Sequence, residues 1–91
     1  MSSMVFKYPI PVTDSFTLDL PEGARPLTVQ MQGSQPCLWA LIDPSRPKTL
    51  RVFRLAGTGH PIEDPGALSF IATFQMSNGM LVFHVFEQLE N

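Results

Sequence analysis

The chain has one cysteine, one tryptophan and one tyrosine in 91 residues, and only 15% of its residues are charged. A lone Cys37 excludes an internal disulfide, and no Cys or His spacing supplies the three or four ligands of a zinc site. Six Lys and Arg against eight Asp and Glu give a formal net charge of −2, which excludes a general electrostatic affinity for nucleic-acid backbone or an anionic membrane. No run of about 18 apolar residues offers a membrane span, and the first eight residues lack the charged start and apolar run of a secretory signal. The expected location is therefore a reducing cytoplasm, with neither export nor membrane insertion. Long helices are also missing. Nine prolines and six glycines leave no 3.6-residue stripe longer than about two turns.

What remains is 44% apolar, enough for one core, and the length admits a single domain over residues 1–91. The segments between breakers are rich in Val, Ile, Leu, Phe and Thr, the composition of short strands. The expected fold class is all-β, or β-dominated α+β, in a small sheet, sandwich or barrel. Seven mostly antiparallel strands are predicted, at 4–8, 15–19, 26–32, 36–42, 49–55, 69–76 and 80–87. At most one short helical turn is expected, near Glu63 to Leu68, with Asp64 as its N-cap and Pro65 at the first helical position.

Two hairpins can be registered from their turns. Asn78-Gly79 suits a type I′ turn, which needs positive φ at both central residues. Met76 then faces Leu81, Phe74 faces Phe83 and Ala72 faces Val85 on an apolar side. Gln75 with Val82, Thr73 with His84 and Ile71 with Phe86 make a mixed reverse side. Gly33-Ser34 suits a type II′ turn. It places Val29 opposite Leu38 and Leu27 opposite Ala40 toward the core, with Thr28 opposite Trp39 and Gln30 opposite Cys37 behind. Two mixed reverse faces suggest surfaces covered by a ligand, loops or another subunit.

Three groups are candidate sites. Gly57-Thr58-Gly59-His60-Pro61 follows a strand carrying Arg51 and Arg54. Such a turn can present backbone N–H groups to an anion, but it lacks the spacing of a P-loop or dinucleotide fingerprint. A plain turn with His60 exposed is the alternative. Arg46, Lys48, Arg51 and Arg54 lie close enough in sequence for one local basic patch. His84, Thr73 and Gln75 suit a base edge or amide, with Trp39 as a stacking surface; the alternative is a half-buried histidine satisfied by Thr73 and a Trp39 that fills a core or an interface. The ligand-binding candidates are thus Trp39, Arg51, Arg54, Thr58, His60, Thr73, Gln75 and His84. No catalytic set, metal site or cofactor is expected. Cys37 has no local base to activate its thiol, and the acids fall mainly in turns or at strand ends.

The strand from Met80 to Glu87 is apolar and near the chain end, and at a sheet edge it would invite pairing with another chain. The same logic applies to Met4 to Tyr8, whose Tyr8-Pro9-Ile10-Pro11 continuation must be extended and cannot sit in a central strand. A homo-oligomer is expected on both grounds. Several segments, Lys7-Tyr8-Pro9 with Val12-Thr13-Asp14, Leu20-Pro21-Glu22-Gly23-Ala24, Gln35-Pro36-Cys37-Leu38-Trp39-Ala40-Leu41, Gly57-Thr58-Gly59-His60-Pro61 and Phe83-His84-Val85-Phe86-Glu87, together resemble a family of small tailed-phage and prophage proteins of unknown function. The resemblance spans nearly the whole chain. It implies an accessory or counter-defence role in an infected bacterium. The function expected is non-enzymatic sequestration of a small nucleotide-like immune signal. The alternative is inhibition of a host defence protein through a β edge or aromatic patch.

Overall fold

The computed structural model describes residues 2–89. Seven strands run in chain order: β1 (Met4–Pro9), β2 (Ser15–Pro21), β3 (Arg25–Gln32), β4 (Gln35–Ile42), β5 (Lys48–Gly57), β6 (Leu68–Met76) and β7 (Leu81–Gln88). They form two antiparallel sheets, a three-stranded one in the order β1-β4-β3 and a four-stranded one in the order β2-β5-β7-β6. The sheets come closest where β3 meets β6. The Cα envelope measures 42 × 34 × 15 Å, thin enough for two β layers at most.

Alternation along each strand sorts the side chains. Val29, Leu38, Ala40 and Ile42 from the first sheet join Phe16, Leu20, Phe53, Leu55, Ala72, Phe74 and Val85 from the second in one buried cluster. Full burial of a Phe53 or a Leu38 contributes about 1.5–3 kcal/mol each. Phe16 stacks on Phe53, their ring centres 5.3 Å apart. The β1–β2 loop is tied to β5 where the Leu55 N–H donates to the Asp14 carbonyl. The β4–β5 loop is closed by Asp43, which accepts from the Ser45 amide at 3.0 Å and hydroxyl at 2.7 Å. Those hydrogen bonds hold the Asp43 carboxyl below its ordinary pKa.

Both hairpins form. Asn78 and Gly79 lie at φ +56° and +83°, and the Met80 N–H donates to the Ser77 carbonyl, which closes a type I′ turn. Gly33 takes φ +61° between the paired residues Gln32 and Gln35. The two turns stand side by side around a shallow depression.

Each hairpin departs from simple alternation at one bulge. Phe70, not Ile71, lies opposite Phe86, because β6 carries an extra residue between Phe70 and Ala72. In β3 the register shifts between Pro26 and Thr28, so Pro26 lies opposite Ala40 and Leu27 is left 42% exposed instead of facing the core. β7 is not an edge strand: it lies between β5 and β6, so the chain itself supplies the pairing expected from a second subunit. The expected helical turn is a single 3-10 turn, Pro65–Ala67. Asp64 precedes it at φ +51° and makes no side-chain cap; its carbonyl, rather than its carboxylate, accepts from Ala67.

Candidate functional site

The outward face of the β2-β5-β7-β6 sheet gathers five of the predicted residues. Phe53 and Leu55 point into the core, so Arg54 between them points out. Val85 is buried, so its neighbours His84 and Phe86 point out as well. In register, Arg54 lies between Ser15 and Phe86, while His84 lies between Ala56 and Thr73. Gln75 follows on the same face opposite Val82. Thr58 joins from just beyond β5, where its amide donates to the Val82 carbonyl.

His84 is the centre of the polar group. Its Nε2 is 2.7 Å from Thr58 Oγ1 and its Nδ1 is 2.8 Å from Thr73 Oγ1. Neutral imidazole has one donor and one acceptor nitrogen, so one threonine accepts from the ring while the other donates to it. The Thr58 hydroxyl also reaches the Val82 carbonyl at 3.5 Å, so it donates there and accepts from His84 while Thr73 donates to the ring, and both hydroxyls keep acceptor lone pairs for a donor on a ligand. Arg54 is half-buried and makes no hydrogen bond or ion pair with the described residues. A guanidinium with five donors and no partner among the described residues is suited to an anion.

Around the end of β5, Arg54 and His60 also line a cleft of about 470 Å³ with Val12, Asp14, Glu63 and Phe83. His60 is exposed and stands over Gly57, where an added Cβ would meet its Nδ1 at 3.3 Å. The Gly57–His60 turn is closed from within, since the His60 amide donates to Gly57 and that of Thr58 to Val82. Those two amides are therefore occupied.

Two predicted residues lie elsewhere. Arg51 and Arg54 are three apart on one strand and so face opposite ways. Arg51 is on the inner side, where its guanidinium meets Glu87 at 2.5 and 2.7 Å and donates to the Ala24 carbonyl. The expected basic patch is dispersed accordingly, with Arg46 held by Glu22 at 2.8 Å. Trp39 belongs to the other sheet, between Lys7 and Thr28. Its flanking residues Leu38 and Ala40 point into the core, so its ring looks away from His84. Cys37, beside it, is buried with its thiol toward the Gln35 carbonyl.

One pair on this face went unrecognised in the sequence. Phe70 and Phe86 meet edge to face, centroids 5.6 Å apart and planes at 68°, with Phe70 58% exposed. The bulge at Ile71 brings them together, and nothing in the residue pattern marks that bulge. Among the described residues no group of three or more His, Cys, Asp or Glu side chains is placed to hold a metal, and no helix is long and apolar enough to cross a membrane.

Fold and face define a small antiparallel β protein of two sheets, with a mixed polar and aromatic surface on the four-stranded one. The chain belongs to the domain-of-unknown-function family DUF7352, whose model matches residues 1–91. No curated protein and no solved structure matches it.

Proposed function

We propose that this chain is a non-enzymatic binding protein of a tailed phage or prophage. In the cytoplasm of the infected bacterium it captures a small nucleotide-like signal of the host's antiviral defence and holds it without turnover. The observation that carries this reading is the convergence of Arg54, Thr58, Thr73, Gln75 and His84 on one sheet face, with Arg54 lacking any partner among the described residues. A cation sharing a sheet face with hydroxyl and amide groups suits a ligand with a phosphate and a hydrogen-bonding base. The phage resemblance supplies the biological setting. To test it, the protein is dialysed against small-molecule extract from phage-infected cells and then heat-released. The account expects one nucleotide enriched and chemically unchanged, and lost with Arg54→Gln. Release of a cleaved product contradicts the absence of turnover, and recovery of no nucleotide contradicts capture.

A second reading rests on β1. Among the described residues this strand pairs with β4 alone, and its free edge carries Met4, Val5 and Phe6, all exposed. Such an edge accepts a strand from another chain. The partner is a second copy, which makes the protein a homo-oligomer, or a host defence protein that it inhibits. Sedimentation of the purified protein separates these, because a homo-oligomer forms without any host component.

A further inference from the structure

Phe70 is 58% exposed and sits edge to face on Phe86, so the outer face of the four-stranded sheet carries an aromatic pair rather than a single stray ring, and contiguous apolar surface is what marks a contact site. Three features narrow the contact. The ring is already set edge to face against Phe86, which leaves aromatic surface open to a planar group. Arg54 is in register directly across from Phe86 and unpartnered among the described residues, so the occupant carries negative charge. The next row along the strands holds His84 between Thr58 and Thr73.

We propose that Phe70 and Phe86 form a stacking platform for the base of a nucleoside monophosphate whose phosphate is held by Arg54. This assignment rests on the capture reading above and identifies its ligand class and aromatic contact. Facing residues on adjacent strands hold their Cβ atoms about 5 Å apart. Arg54, Phe86 and Phe70 occupy three successive strands, so cation and ring are separated by roughly 5–10 Å. A ribose bridges a similar interval between base and phosphate. The Thr58 and Thr73 hydroxyls, each with bonding capacity beyond His84, lie where a base or sugar edge falls. The acidic balance of the chain disfavours a long strand of nucleic acid, whose many phosphates require many cations. A protein partner would cover the rings but leave the guanidinium buried without an anion unless it brought a carboxylate.

The test is an NMR titration of the full chain with AMP, adenosine and inorganic phosphate in turn, repeated with GMP, CMP and UMP. AMP is expected to shift Phe70, Phe86, Arg54 and His84, and to bind at least about tenfold more tightly than adenosine or phosphate alone, because each of these keeps only one of the two contacts. Phe70→Ala is expected to weaken AMP about tenfold, in the range of base stacking on an aromatic ring. Phe70→Leu, which keeps apolar bulk without a π face, is expected to weaken it similarly. Arg54→Gln should reduce AMP to the level of adenosine. Binding that depends on Arg54 but ignores both Phe70 variants overturns the platform while leaving capture intact. If none of the four monophosphates shifts these residues, the assignment is overturned; the dialysis experiment then decides the fate of capture separately.

Discussion

Arg51 and Glu87 meet on the inner side of the sheet, both mostly withdrawn from solvent, with side-chain exposures of 18% and 17%. Removing one partner leaves the other charged and partly desolvated, so Glu87→Gln is expected to cost about 2 kcal/mol of stability, by the usual value of hydrogen bonds to charged groups. Urea unfolding of the variant measures this. Because Arg51 faces away from Arg54, the same variant should leave the proposed capture on the outer face unchanged. Arg51 and Arg54 are near enough in sequence to suggest one patch, which the fold divides between two faces. Strand parity was legible and separates them; the partner Glu87 was not, since it arrives only through the pairing of β5 with β7. Asp43 titrates below its ordinary value because Ser45 hydrogen-bonds its ionised form. Its folded pKa is depressed, so its contribution is present above the ordinary aspartate range and lost as pH falls through the folded value. A carboxyl-detected NMR titration should therefore place Asp43 below the ordinary aspartate value, and Ser45→Ala should bring it back up.

At the scale of elements, all seven strands and the facing pairs nearest both turns could be read from the sequence, because Asn78-Gly79 and Gly33-Ser34 fix the registers they close. Farther from each turn the reading failed at one bulge apiece. An inserted residue leaves no mark in composition, since Leu27 and Ile71 are as apolar as any core position. Their surroundings separate them. Leu27 is exposed and Leu38 fully buried, so Leu27→Ala should change stability by less than about 0.5 kcal/mol, whereas Leu38→Ala should cost about 2–5 kcal/mol. Equal costs in chemical denaturation would contradict the β3 bulge. In the β6–β7 turn, Gly79 at φ +83° has Gln75 Oε1 only 3.1 Å from where a Cβ would stand. Gly79→Ala is thus both strained in the backbone and crowded, and should cost about 1 kcal/mol or more, lowering the thermal midpoint.

For the whole molecule, the accessible area of 5796 Å² exceeds the roughly 5300 Å² typical of a monomer of this mass, and the excess accompanies a thin shape with an open β1 edge. Val5, 53% exposed on that edge, is a position where a lysine blocks strand addition. Under the proposed homo-oligomer, Val5→Lys should shift the sedimenting species to monomer without lowering stability appreciably. The proposed binding face belongs to this scale too. Arg54 and His84 were legible as candidates from residue type, but their union with Phe70 and Phe86 depends on the order β2-β5-β7-β6, which no local pattern specifies. The most direct test of capture on this face is native mass spectrometry of the protein purified from its bacterial host, with the wild-type chain beside Arg54→Gln. The account predicts a discrete nucleotide mass on the wild type, absent from the variant and intact after denaturation. A wild-type protein that stays bare, before and after incubation with signalling nucleotides, would contradict it.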